Sequence, residues 1–182
     1  MNNRRKKAGI FILLILVANF TFSIPVYASD DIEFAGNIVL AILPTTAFGI
    51  ALHKNDHEGV IQFSKSLLTT LGVTAALKYS INAERPNGGS HSFPSGHTAV
   101  GFSGASFLQK RYGRECGIPA YIAASFIGWS RIESDNHYFH DVLAGAVIGI
   151  LSSYYFTKPY KGVTVTPIAD KGIYGINISK NW

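Results

Sequence analysis

The chain has 182 residues, of which 47% are hydrophobic and 15% charged. Charged residues make up roughly 25% of ordinary soluble domains, so this chain is too apolar for disorder and calls for a large buried or membrane-facing surface. One domain is the default at this length. The formal net charge is +5, but Arg4, Arg5, Lys6 and Lys7 supply most of it; beyond residue 28, twelve bases face eleven acids. A nucleic-acid partner therefore has no electrostatic footing. The single Cys116 excludes an internal disulfide and any multi-cysteine metal site.

The four N-terminal bases precede an apolar run from Ala8 to Phe22, followed by Ser23-Ile24-Pro25-Val26-Tyr27-Ala28. A basic region, a short apolar region and a small residue at Ala28 are the parts of a secretory signal. The expectation is a signal peptide over 1–28, cleaved after Ala28, with a catalytic domain over 29–182. An uncleaved anchor is the alternative, though the run is short of the ~20 residues a span needs. Both readings place the rest of the chain outside the cytoplasm.

Five apolar segments follow, near Ile32–His53, Gly59–Ile81, His97–Tyr112, Ile118–Ile132 and Asp141–Phe156. Each suits a helix and is too long for an ordinary strand. Polar or Gly/Pro-bearing breaks separate them. Beyond about residue 157 the pattern changes. Val163-Thr164-Val165-Thr166 alternates, as do Tyr174, Ile176 and Ile178, around Asp170-Lys171-Gly172. This predicts a β-hairpin over 162–180. The fold class is all-α, an antiparallel helical bundle with a small C-terminal β-hairpin.

The third and fourth segments are only about 15 residues long, short for ~30 Å of hydrocarbon, and Lys65 interrupts the second. These features favour a compact soluble bundle in the periplasm of the cell envelope, with association with or embedding in the inner membrane as the alternative. Were the segments to span, Lys110, Arg111 and Arg114 would fall on the cytoplasmic side.

Three pieces carry chemistry: Lys78 with Arg85-Pro86, Pro94-Ser95-Gly96-His97, and Ser130-Arg131 with His137 and Asp141. Singly each is weak. Together, in an up-and-down bundle, they fall at helix ends that share one face. Three cations, two imidazoles and a carboxylate would then crowd one pocket. Arg85, Arg131 and Lys78 can neutralise the charge that a phosphoryl group spreads over its oxygens. Ser95 and the Gly96 amide precede a helix, where unpaired N–H groups face an anion, and Gly96 permits close approach. No acid cluster suited to a catalytic metal is apparent, so charge stabilisation rests on the protein, with no cofactor expected. Asp141, four residues after His137, is expected to accept from one ring nitrogen and leave the other as nucleophile. His97 would protonate the leaving oxygen and then activate water. His140 is the competing imidazole, but on a helix it faces away from its neighbour Asp141.

These residues, K-x6-R-P, P-S-G-H and S-R-x5-H-x3-D, resemble the three-part signature of the type 2 phosphatidic acid phosphatase superfamily, which includes bacterial acid phosphatases and vanadium haloperoxidases. The match runs over 64 residues, Lys78 to Asp141, with every signature position present. The resemblance implies a metal-independent phosphomonoesterase or diphosphatase on an all-α core. It also implies His137 as the phosphorylated residue, His97 as acid/base, and Lys78, Arg85, Ser95, Gly96 and Arg131 as phosphate ligands. The substrate expected is a lipid phosphate at the outer face of the cytoplasmic membrane, with small phosphate esters and vanadate-dependent halide oxidation as alternatives. Asn87-Gly88-Gly89-Ser90 reads as a flexible lid and His91 as exposed.

Overall fold

A computed structural model of the chain describes residues 29–160 together with two strands, 163–170 and 173–180. The signal segment expected at 1–28 lies outside the described residues. Five helices form a bundle: α1 Ser29–His53, α2 His57–Ile81, α3 Gly96–Tyr112, α4 Arg114–Glu133 and α5 Phe139–Phe156. Beyond them β1 Val163–Asp170 and β2 Ile173–Lys180 run antiparallel, with Val163 opposite Lys180.

The helices start and stop for local reasons. Asp56 caps α2 by accepting the Gly59 N–H at 2.9 Å, and Ser95 caps α3. Asn82 ends α2 in the left-handed conformation, its N–H bonding back to the Lys78 carbonyl. Gly113, at φ 92°, makes the sharp break between α3 and α4. The fourth helix begins four residues earlier than its apolar pattern suggests. Gly117 belongs to the helix rather than the break: a Cβ there would lie 2.3 Å from Gln109 Cβ, so its bareness lets α4 close on α3.

Helix α3 is central and packs against the other four. Phe63 and Phe107 stack in the core with ring centroids 4.7 Å apart, joined by Leu43, Ala47, Leu108, Ala124 and Ile127. Elsewhere the interior is small and polar. The buried face of α2 is Gly59, Gln62, Phe63, Ser66, Thr70 and Thr74. That of α5 is Asp141, Gly145, Ala146, Gly149, Ser152 and Ser153. The large apolar side chains point outward: Leu68 is 70% exposed and Leu151 62%. A soluble bundle buries such residues. An interior of small and hydroxyl side chains beneath an apolar exterior is how helices pack in lipid, where backbones gain from close approach.

Helices α1, α2 and α5 are long and apolar enough to cross a membrane. They favour the alternative, embedding in the inner membrane, over the compact soluble bundle suggested by the segment lengths. α3 and α4 measure 17 and 20 residues rather than about 15. Lys65 is exposed, two turns into α2, where its stem can carry the ammonium toward the helix end.

Candidate active site

The C-terminal ends of α2 and α4 and the N-terminal ends of α3 and α5 meet at one end of the bundle. A cavity of about 170 Å³ opens there, lined by Glu33, Lys78, Arg85, Gly96, His97, Arg131, Asn136 and His137. Six of the eight residues singled out in the sequence reach this cavity wall. Ser95 and Asp141 stand behind it.

Each cation is held differently. Lys78 Nζ donates to the His91 carbonyl at 2.6 Å and the Ser92 carbonyl at 3.4 Å, leaving one of its three N–H groups for the cavity. Arg85 Nε donates to the Ser90 carbonyl at 3.1 Å, and Nη1 lies 3.5 Å from Asn136 Oδ1. Its other nitrogen leaves the guanidinium fork open to a ligand. Arg131 is 2% exposed and fully engaged. Its Nη2 donates to the Glu33 carbonyl at 2.7 Å and Ser130 Oγ at 3.2 Å, while Nη1 donates to Asn37 Oδ1 at 3.1 Å and Glu33 Oε1 at 3.4 Å.

Helix α1 reaches Arg131 only because residue 36 is glycine. A Cβ at Gly36 would sit 2.0 Å from Ser130 Oγ and 2.7 Å from Arg131 Nη2. Gly96 plays a different part. A Cβ there would meet only ordinary contacts, Thr74 Cγ2 at 3.6 Å and Lys78 Cε at 3.8 Å, so the space it leaves belongs to the cavity rather than to packing.

Ser95 lies behind the cavity wall, at the N-cap of α3. The hydroxyl is buried and turned to its own helix, accepting from Thr98 Oγ1 at 2.9 Å and from the Thr98 N–H at 3.4 Å. What it gives the site is the cap that aims the first turn of α3 at the cavity. Its own N–H bonds the Asp141 carbonyl at 3.0 Å, fastening the starts of α3 and α5 together.

His137 and Asp141 approach to ion-pair distance without a direct hydrogen bond. α5 begins at Phe139, so His137 lies in the preceding loop, and its Nδ1 is 3.6 Å from Asp141 Oδ2, beyond hydrogen-bond distance. Ser92 stands between them. Its hydroxyl donates to Asp141 Oδ2 at 2.5 Å and lies 3.4 Å from His137 Nδ1. The carboxylate also accepts the Tyr138 N–H at 3.0 Å. With the Ser92 proton directed to Asp141, the Ser92 oxygen can accept only from a protonated His137 Nδ1, the tautomer that leaves Nε2 basic. Burial, reinforced by the Lys78 and Arg85 charges and opposed by Asp141, pushes the His137 pKa down to about 4. His140, expected to face away from Asp141, instead brings Nε2 to 3.2 Å from Asp141 Oδ1, but it is 67% exposed and forms no part of the cavity wall.

The loop read as a lid is stitched down. Asn87 N–H bonds the Asp135 carbonyl at 3.1 Å, and Arg85 N–H bonds the Gly89 carbonyl at 2.7 Å. His91, expected to be exposed, is half-buried, its ring edge-on to Tyr79. Ser92, Asn136 and Glu33 fall within the segments Asn87–Ser92, Glu133–Asn136 and Ile32–Leu52, which the sequence assigns to the pocket mouth, although none of the three stands out there as a site residue by itself. Ser92 sits three residues before the Ser95-Gly96-His97 triplet, the one signal that could have drawn attention to it.

Residues 87–162 match the family model of the PAP2 superfamily. The chain belongs to that superfamily. Among PAP2 relatives, the lipid A 1-phosphatase of Porphyromonas gingivalis is 43% identical over 84 residues, covering 44% of this chain and 19% of that protein. The lipid A 1-phosphatase of Helicobacter pylori is 30% identical over 127 residues, covering 64% of this chain and 66% of that one. The chain thus spans about a fifth of the length of the first relative and about two-thirds of the second. Two crystal structures share the fold. Aquifex aeolicus LpxE has a TM-score of 0.57 at 24% identity, over 70% of this chain and 81% of that one. The PAP2 type phosphatidylglycerolphosphate phosphatase of Bacillus subtilis has a TM-score of 0.57 at 22% identity, over 85% of both.

Proposed function

We propose that this PAP2 protein is a membrane-embedded phosphatase that hydrolyses lipid phosphates through a phosphohistidine. The observation that carries the reading is the convergence of Lys78, Arg85, Arg131, His97 and His137 on one cavity beneath an apolar exterior. A phosphoryl group fits this charge, and the apolar flanks suit a substrate whose remainder lies in the bilayer.

In the proposed reaction, His137 Nε2 attacks phosphorus. The bond to the leaving oxygen breaks, and that oxygen takes a proton from His97. Lys78, Arg85 and Arg131 neutralise the phosphoryl oxygens, and the Gly96 amide at the start of α3 adds a donor. His97 then takes a proton from water, whose oxygen displaces the phosphate from His137. Asp141 acts through Ser92 to keep the His137 ring in its working tautomer. No metal or cofactor enters these steps.

Lys110, Arg111 and Arg114 lie at the opposite end of α3 from His97. With those bases inside, the cavity faces the periplasm. The names of the matched relatives favour a lipid A phosphate over phosphatidate, phosphatidylglycerol phosphate or a polyprenyl diphosphate. A soluble acid phosphatase is disfavoured by the exposed leucines of α2 and α5. The hairpin reading of the tail belongs to this proposal as well, supported by the pairing of β1 with β2.

The test is phosphate release by purified protein from these lipids and from a soluble aryl phosphate. Wild-type turnover on lipid should survive EDTA and stop with vanadate, and folded His137→Ala should be inactive. Near-normal release by folded His137→Ala would remove the proposed nucleophile, and loss of activity in EDTA would point to a metal hydrolase.

A further inference from the structure

Glu33 is a carboxylate in the wall of a cavity otherwise lined by cations, imidazoles, one amide side chain and Gly96. Among the described residues it is the only acid there. Its place is built. α1 can lie against Arg131 because Gly36 has no side chain to strike Ser130, and the Glu33 carbonyl takes the closest of the Arg131 contacts. The carboxylate is a looser partner, 3.4 Å from Arg131 Nη1 and with 37% of its side chain exposed.

Holding Arg131 in place therefore does not require the charge. The Glu33 backbone carbonyl, Asn37 and Ser130 already fix the guanidinium. What the carboxylate adds is one negative charge facing the space a phosphoryl group would fill. In a partly dry cavity that charge opposes an incoming anion, and the opposition grows with the anion's own charge.

We propose that Glu33 is a specificity-determining residue that sets a charge limit on the substrate, favouring phosphate monoesters over diphosphates. The inference rests on the phosphatase reading above and narrows its substrate class.

The test compares wild-type protein with Glu33→Gln, which keeps an acceptor oxygen for Arg131. Binding of inorganic phosphate and of pyrophosphate is measured calorimetrically in detergent micelles, beside kcat/KM for a lipid monophosphate and a lipid diphosphate. The variant should bind phosphate about tenfold tighter and pyrophosphate tighter still, with selectivity moved toward the diphosphate. Unchanged affinities, or an equal loss for both anions, would overturn the charge limit and leave Glu33 a mere tether for α1. Should the wild-type chain bind neither anion and hydrolyse neither lipid, the phosphatase reading itself fails. Thermal unfolding of both proteins shows that the comparison is between folded chains.

Discussion

Ser92 donates its hydroxyl to Asp141 Oδ2 at 2.5 Å, and both side chains are buried. The hydroxyl thus bridges the carboxylate and His137 Nδ1, which itself lies 3.6 Å from Asp141 Oδ2. Ser92→Ala removes this link while leaving the backbone bond between Ser92 N–H and the Ala83 carbonyl in place. We expect kcat to fall about 10- to 100-fold with little change in KM, because a group acting on tautomer and orientation affects the chemical step more than binding. Steady-state kinetics on a lipid phosphate, with thermal unfolding as the fold control, decides it. An unchanged kcat would show that Asp141 orients His137 without Ser92.

The His137 ring gives a pH prediction. Its pKa is lowered from 6.5 to about 4, chiefly by burial and then by Lys78 and Arg85. A nucleophile must be neutral, so the acid limb of kcat/KM that belongs to His137 should fall near pH 4 rather than near 6.5. Stability follows the same sign. The folded state keeps the ring neutral, whereas the unfolded chain takes up a proton below about pH 6.5. The contribution of the neutral ring is complete above 6.5 and is lost as pH falls toward 4. Denaturation at several pH values should show this slope in the wild type and a shallower one in His137→Gln. Identical slopes would place His137 in water.

Two glycines of α5 hold it against α3. A Cβ at Gly145 would lie 2.4 Å from the Ser95 carbonyl oxygen, and one at Gly149 2.2 Å from that of Ala99. Backbone atoms cannot swing aside as a side chain can. Gly145→Ala should cost about 1–3 kcal/mol and displace the helix that carries Asp141. Loss of both melting temperature and kcat is the expected result, and retention of both would mean the helices part without consequence.

At the other end of the bundle, Arg111 forms a buried ion pair with Asp56, which also accepts from Tyr112 Oη at 2.7 Å. Arg111 Nη1 reaches the Lys158 carbonyl at 2.8 Å as well, tying the chain beyond α5 to α3. Arg111→Met strands the Asp56 charge and should destabilise by about 3–5 kcal/mol. Fourteen residues of helix separate Arg111 from His97, roughly 21 Å, so KM of the protein that remains folded should not change. A raised KM would reveal coupling between the two ends.

How much of this was legible beforehand follows from what each signal depends on. Helix number and the breaks at Asn82, Gly113 and Ser134 are local, set by caps and turn residues a few positions apart. The gathering of Lys78, Arg85, His97, Arg131 and His137 follows from alternating helix directions, so spacing alone foretold it. Which face of each helix turns inward did not follow. In α2 the polar stripe through Gln62, Ser66, Thr70 and Thr74 and the apolar stripe through Ile61, Leu68 and Leu71 repeat with the same period. Periodicity marks two faces and is silent on which one meets solvent. Ser92 and Glu33 lie in segments the sequence assigns to the pocket mouth, but their individual contacts were hidden for a different reason. The two residues lie 49 residues before Asp141 and 98 before Arg131, and a contact over that distance exists only once packing has brought the helix ends together.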